Sequence, residues 1–421
     1  MHDFKIKLVF SVLAFIILID LYSWQAFKTI LKSRGKKIIR IAKGIHYGIT
    51  ILVVTMFLIM NVYVSLEKNV FLRYYLSALV VVLYFPKLIT CVFILIDDLQ
   101  RLLRLILKVI VSFFRKPAGE DKVNGISRAK FLSQTGLLVS SVPFLMLSKG
   151  IIKGGYDYQL HKIRLLIKNL PLAFEGMKMV QISDIHSGSL FDKDAVQKGI
   201  RMALETRPDI IFFTGDLVNN ETPEALPLMD QLAGIKAPMG VFSTFGNHDY
   251  GDYISWESEE AKAKNLDDLV KVHRDLGWHL MRNENIFLEK GSSKLALIGV
   301  ENWGDRGRFQ KFGDVEKATE GLEGNFVQLL LSHDPSHFDS IISKQYPEIA
   351  VTFSGHTHGF QFGIENKYFR WSPSQYIYPH WAGLYREGEQ QLYVNRGFGF
   401  LGYPGRVGIL PEITLFELSR A

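Results

Sequence analysis

The sequence predicts an α-helical membrane-spanning region followed by an α/β domain. Residues 1–150 contain apolar runs of membrane-crossing length, whereas beyond 177 short apolar runs, often β-branched, alternate with polar helical stretches. Charge divides the same way: 1–150 hold 21 Lys+Arg against 7 Asp+Glu, and 151–421 hold 28 against 35. The formal net charge of +7 over 421 residues is therefore a basic end joined to an acidic one. The cations sit between apolar runs and not on a polar folded surface, so no nucleic-acid partner is expected. A hydrophobic content of 48% excludes a disordered chain. The single cysteine, Cys91, excludes an intramolecular disulfide and a cysteine-rich metal site.

The N-terminal elements follow from hydropathy. Gly44–Leu66 is 23 residues without Asp, Glu, Lys or Arg, enough to cross about 30 Å of hydrocarbon as a helix. Leu8–Phe27 is interrupted only by Asp20, Tyr74–Ile96 only by Lys87, and Phe131–Ser148 adds 18 uncharged residues. Leu102–Phe114, with Arg104 and Lys108, reads as an amphipathic helix on the membrane surface. Seven cations in 28–43 and eight in 98–130 place both segments on the cytoplasmic side. Four crossings then put residues beyond 150 outside, the periplasmic face of a bacterial inner membrane. If the fourth segment does not cross, that domain is cytoplasmic. Asp20 and Lys87 lie 12 or 13 residues into helices running in the same direction, a placement that allows an intramembrane ion pair. The alternatives are Asp20 as a helix-end residue and Lys87 snorkelling to the interface. Ser127-Arg128-Ala129-Lys130-Phe131-Leu132 resembles a twin-arginine export signal with its second arginine replaced by Ala129.

In the second part, Met177–Ser183, Asp209–Thr214, Met239–Phe245, Lys294–Val300, Phe326–Leu331 and Ile349–Phe353 read as buried strands, joined late by Gln391–Asn395 and Ile413–Glu417. Helical patterns fall at Asp194–Glu205, Pro223–Leu232, Ser258–Leu276, Val315–Leu322 and Pro335–Ser343, an alternation that indicates an α/β layer architecture. Five polar clusters follow the strands: Asp184-Ile185-His186, Gly215-Asp216, Gly246-Asn247-His248-Asp249, His333-Asp334 and Gly355-His356-Thr357-His358. Singly, each has a bland reading as a cap, a turn or a surface residue. Together, each at a strand's C-terminal end where loops converge, they assemble the carboxylates, imidazoles and amide that a pair of divalent cations needs. His161, His273, His279 and His337 match no motif and read as ordinary surface or helix residues. The aromatic stretch Trp371, Tyr376, Tyr378, Trp381 and Tyr385, with His380, reads as loop packing or the border of a pocket for a bulky or acylated leaving group.

The ordered pattern D-x-H, G-D, G-N-H-[DE], H, G-H-x-H over about 175–420 resembles that of the calcineurin-like metallophosphoesterase superfamily. Within it the chain is most similar to the membrane-associated bacterial branch of YkuE/YaeI-like phosphodiesterases, by the degenerate export signal and the ending Asn395-Arg396-Gly397-Phe398-Gly399 through Arg406 to Glu412-Ile413. The resemblance says nothing of 1–126. Hydropathy alone gives the membrane region of about four helices at 1–150, whereas for 151–421 the resemblance implies a two-sheet α-β-β-α sandwich with two divalent metal ions at one edge, with Mn, Fe or Zn as the expected identities. Metal one would be held by Asp184, His186, Asp216 and His358, and metal two by Asp216, Asn247, His333 and His356, with Asp216 bridging. His248 would protonate the leaving group, and Asp249 would orient its imidazole.

The expected function is a membrane-anchored phosphoesterase that hydrolyses phosphomonoesters or phosphodiesters by a hydroxide held between the metals. Its expected partners are a phosphate ester substrate, lipid-linked in one version, and the bilayer. The alternative is a pyrophosphatase of a nucleotide-linked acyl sugar, which requires a cytoplasmic domain. A non-catalytic metal-binding scaffold is a further alternative that the intact ligand set disfavours.

Overall fold

A computed structural model describes residues 2–62, 70–113, 127–307 and 309–421. The 63–69 connection with Lys68, and 114–126 of the second basic segment, lie outside the described residues. The chain divides into two units, Met1–Lys149 and Gly150–Ala421.

In the first unit, α1 (His2–Leu31), α2 (Lys36–Val62), α3 (Val70–Ser112) and α4 (Arg128–Ile152) are each long and apolar enough to cross a membrane. Over 102–112 the expected separate surface helix is instead the continuation of α3, and Phe114 lies outside the described residues. No Gly or Pro interrupts the stretch after Pro86, and an Asp97–Arg101 pair (2.5 Å) staples one turn. At 43 residues α3 spans about 65 Å, roughly twice the hydrocarbon thickness, so part of it leaves the bilayer core. At the start of α4, the Lys130 amide donates to Ser127 Oγ (3.4 Å), so the Ser-Arg of the export-like motif also serves as an ordinary helix start.

Asp20 is buried, not at a helix end. Its carboxylate accepts from Lys87 Nζ (2.5 Å), Tyr84 OH (2.6 Å) and Thr50 Oγ1 (2.7 Å), tying α1, α2 and α3 together. Three donors offset the cost of a charge in this low-dielectric setting.

The second unit is a four-layer sandwich. The first sheet runs in the order β1 (Gln159–Ile167), β14 (Glu412–Arg420), β2 (Lys178–Ile182), β3 (Ile210–Thr214), β4 (Val241–Thr244), β5 (Trp278–Leu280). The second runs β12 (Gly383–Glu387), β13 (Gln390–Val394), β9 (Ile349–Ser354), β8 (Gln328–Leu331), β7 (Ser293–Gly299), β6 (Glu284–Lys290). Strands β2 to β5 pair in parallel, as do β13, β9, β8 and β7, so their C-terminal ends collect at one edge of each sheet. Period-two alternation sends Ile210 and Phe212 between the sheets, where Phe212 meets Phe353 at 5.2 Å, and sends Ile211 and Phe213 outward against the helices. Val196, Ile200 and Ala203 of α5 (Lys193–Glu205) cover that outer face, and Phe338 and Ile342 cover the second sheet.

The eight strands read from the sequence all appear; β1, β5, β6, β12 and a separate two-stranded hairpin, Ile364–Glu365 with Arg370–Trp371, are additional. The Pro223–Leu232 helix breaks into 3₁₀ turns and only Met229–Leu232 is α-helical, because Pro223 and Pro227 cannot donate to a helical ladder. Among the described residues, His273 and His337 are buried; His273 lies on a helix, one of the two placements expected, but on its inward face. His273 packs among Phe213, Phe245 and Trp278, with Nδ1 2.9 Å from Ser243 Oγ. Burial lowers its pKa from 6.5 to about 3. The unfolded chain therefore takes the proton first, and the stability His273 contributes is complete above pH 6.5 and lost as pH falls toward 3. Inside that window the loss is about 1.4 kcal/mol per pH unit. Denaturation of the solubilised protein, followed by tryptophan fluorescence at several pH values, should show His273→Leu flattening the slope by that amount; an unchanged slope would contradict a neutral buried imidazole.

Candidate metal centre

The metal-type side chains arrive from the C-terminal edges of both sheets. Asp184 and His186 follow β2, Asp216 follows β3, Asn247 follows β4, His333 follows β8, and His356 and His358 follow β9. The loops are tight. Asp184, His186, Asp216, His356 and His358 all occupy the left-handed region, with φ between 49° and 70°. Two glycines make room: a Cβ on Gly246 would collide with Asp216 Oδ1, and one on Gly355 with Asp184 Oδ2. That accounts for the glycine that opens each of the two longest motifs.

Two groups result, Asp184 with His186 and His358, and Asp216 with His333 and His356; within each, the ligating atoms lie within 4.8 Å of one another. Asp216 Oδ2 faces both, 3.6 Å from His186 Nε2 and 3.2 Å from His333 Nε2. His358 Nε2 lies 3.3 Å from Asp184 Oδ1 and 3.0 Å from His186 Nε2. Asn247 joins the second group: its amide nitrogen donates to Tyr253 OH (2.6 Å), leaving Oδ1 2.7 Å from His356 Nδ1. The residues fit a pair of cations. His333 Nε2 is fully buried and faces Asp216 Oδ2, while its Nδ1 is 2.6 Å from Thr214 O, the arrangement that turns Nε2 toward a metal. His186 is set likewise, with Nδ1 3.1 Å from Asn219 Oδ1. Two carboxylates, four imidazoles and one amide suit a borderline divalent ion of the Mn, Fe or Zn kind.

Electrostatics reflect the crowding. Burial pushes Asp184 up to about 7 although His333 opposes it, and burial pushes His186 down to about 3. Against its own burial, His333 is held up to about 10 by Asp216 and Asp184. Asp216, although buried, stays well below the usual carboxylate range beside His333 and His248.

His248 is not in either group. It lines the open cavity above them, with its Nδ1 2.7 Å from Asn219 O and its ring against Tyr253 (4.4 Å). The expected orienting role of Asp249 does not match the geometry. Its carboxylate accepts from the backbone amides of Gly246 (2.8 Å), Asp216 (2.9 Å) and Leu217 (2.8 Å), because two successive turns aim their N–H groups at it. Asp249 holds the loop, and the Asn219 carbonyl orients His248.

The cavity, about 510 Å³, has a polar floor and an apolar wall of Phe309, Phe360, Ile377, Tyr378 and Leu401, with Arg306 beside them. Sequence reasoning reached Tyr378 and its neighbours but missed Arg306, Phe309, Tyr253 and Phe360, which sit in loops without periodicity. His380 pairs with Asp339 (2.6 Å) instead of reaching the cavity. Arg406, noted only as part of the chain's ending, is fully buried with Nη2 3.0 Å from His358 Nδ1.

Comparison with known proteins agrees with the motif reading and extends it to the membrane unit. Residues 177–360 match the family described as calcineurin-like phosphoesterase, and 6–155 match the family described as probable calcineurin-like phosphoesterase, transmembrane domain. The N-terminal helices thus have relatives of their own, which the resemblance in sequence motifs had not covered. A transmembrane protein with metallophosphoesterase domain from Danio rerio is 27% identical over 281 residues, covering 65% of this chain and 60% of that one. The metallophosphoesterase YkuE of Bacillus subtilis is 30% identical over 261 residues, covering 59% of this chain and 82% of its own. The UDP-2,3-diacylglucosamine pyrophosphatase LpxG of Chlamydia trachomatis is 29% identical over 280 residues, covering 55% of this chain and 81% of the relative. With its motifs in order at one sheet edge and a YkuE-like relative matched over most of its length, the chain belongs to the calcineurin-like metallophosphoesterase superfamily, in its membrane-associated branch.

Proposed function

We propose that this protein is a membrane-anchored dinuclear-metal phosphoesterase that hydrolyses phosphomonoester or phosphodiester bonds. The observation that carries the reading is Asp216 Oδ2, one carboxylate oxygen facing both ligand groups at the floor of an open cavity. Asp184, His186, Asp216 and His358 would hold one divalent ion, and Asp216, Asn247, His333 and His356 the other. Bound there, the pair supplies Lewis acidity for activating water and neutralises charge on the phosphoryl oxygens.

The protein's own groups do the rest. His248 donates its Nδ1 proton to Asn219 O, which leaves Nε2 as the ring atom directed to substrate. From there it gives a proton to the departing oxygen. The Tyr253 hydroxyl fixes the Asn247 amide, and the apolar wall limits water around the leaving group. Cation bias in the loops supports a domain outside the cytoplasm, on the periplasmic face of a bacterial inner membrane.

Arg306 favours a second reading, cleavage of a pyrophosphate. It stands on the cavity wall with a buried Nε that lacks a hydrogen-bond partner, where a second phosphate would find a charge-assisted donor. The Chlamydia relative bears the name of such an enzyme, and this reading places the domain in the cytoplasm. The test is turnover of aryl phosphodiesters, aryl monoesters and a nucleoside diphosphate ester by the Mn²⁺-loaded full-length protein, with metal content measured alongside. No turnover of any of them with both metals present would overturn the proposal.

A further inference from the structure

Beyond the metal centre, exposed apolar side chains in the second unit are unevenly distributed. Twelve large hydrophobic side chains are exposed there among the described residues, and six of them, Phe360, Ile364, Tyr368, Phe369, Tyr376 and Ile377, fall within 18 consecutive positions. Tyr368 is 90% exposed and Tyr376 75%. A concentration of this kind on a folded surface marks a contact with something apolar.

The segment is built, not slack. Ile364–Glu365 pairs with Arg370–Trp371 in a short antiparallel hairpin. Asn366 Oδ1 accepts from the amides of both Tyr368 and Phe369 (2.9 Å each), which fixes the turn that carries the two aromatic rings. At its foot, Glu365 pairs with the nearly buried Arg396 (2.9 and 2.5 Å), which in turn pairs with Glu412 of the first sheet. Arg370 donates to Ala382 O (2.6 Å) and lies over Trp381. A rigid base therefore presents an aromatic tip, flanked by Lys367 and Arg370, to the outside.

Chain connectivity identifies the occupant. The hairpin's foot and the chain's departure from α4 flank the same loop, 398–409. On one side, the Arg406 amide donates to Gly150 O (3.3 Å) at the end of α4. On the other, Gly363 N donates to Val407 O (2.8 Å) and Val407 N to Gln361 O (2.7 Å). Six residues separate Ile152 from β1, a tether of at most about 22 Å. Tyr, Phe, Ile and two cations are what a protein surface offers to the headgroup level of a bilayer.

We infer that the 360–377 segment, with its hairpin, is a bilayer-docking surface, and that Phe360 and Ile377, which belong both to this surface and to the cavity wall, let a bilayer-resident phosphate ester reach the metal centre without leaving the lipid. The docking surface stands on the hairpin alone; the substrate class rests on the phosphoesterase reading.

The test uses full-length protein in a Cys91→Ser background, reconstituted into phosphatidylethanolamine–phosphatidylglycerol vesicles. A bimane label at Tyr368→Cys is compared with one at Lys290→Cys, at the end of edge strand β6 of the second sheet, using a nitroxide quencher on the lipid acyl chain. Quenching at 368 should exceed that at 290 several-fold. The double variant Tyr368→Ser/Phe369→Ser should lose at least tenfold in hydrolysis of a vesicle-borne phosphodiester while keeping its rate on a soluble aryl ester. Equal quenching at both positions overturns the docking surface. So does a label at 368 shielded from both the lipid quencher and aqueous iodide, which would mean that a second copy or another protein covers it. Absence of soluble-ester turnover in the unmutated protein instead overturns the phosphoesterase reading and leaves the quenching result to stand by itself.

Discussion

Asp216→Ala should remove the oxygen that faces both ligand groups, and with it both the bound metal and the turnover. The remaining residues leave each group with neutral imidazoles and at most one carboxylate. His333, whose Nε2 has Asp216 Oδ2 as its near neighbour at 3.2 Å, loses the charge that holds its proton. Loss of dinuclear Lewis acidity, worth several kcal/mol in the transition state, corresponds to a fall of about a thousandfold or more in kcat. Metal analysis of the purified variant separates this from a folding defect: a folded protein with fewer than two ions and no activity is expected. Undiminished turnover would refute the dinuclear centre.

His248→Ala tests a different step. General acid catalysis contributes about 10²–10⁴-fold, and its value grows with the basicity of the leaving group. The variant should therefore keep its metals, lose little rate on a nitrophenyl ester and lose about a hundredfold or more on an alkyl ester. Equal losses on both would assign His248 to substrate binding instead. Substitution of Asn219 would not replace this experiment, because it meets His248 through its backbone carbonyl, which any side chain retains, while its side chain faces His186 Nδ1.

The metal-type residues were legible because their chemistry is local and ordered. Asp, His and Asn directly after a buried strand, with a glycine where a Cβ would strike a carboxylate, leave a record in short words of sequence. The loops that wall the cavity leave none: Arg306, Phe309 and Tyr253 come from irregular segments in which apolar residues have no period. β1 was missed because Lys162 and Arg164 on its exposed face interrupt the apolar run by which the buried strands were read, and its pairing with β14 joins residues about 250 positions apart. The burial of His273 was recoverable: it lies one turn after Leu269, two turns after Asn265 and beside Val272, all buried on α6 (Glu259–Asp275). The polar composition of the helix masked that stripe. Asp249 illustrates the opposite limit, since adjacency to His248 implied a contact that the turn's geometry prevents.

The left-handed backbone at Asp184, His186, Asp216, His356 and His358 bears on the history of the chain. Each such residue costs about 1 kcal/mol or more against a relaxed alternative, a cost that glycine, and to a lesser degree asparagine, largely avoids. Drift unopposed by selection would thus be rewarded at five positions at once with a more stable domain. Aspartate and histidine at these five places are therefore a stability cost that the proposed ligand chemistry would account for. A descendant that had become a mere scaffold would be recognisable first by glycine or asparagine at these same five places.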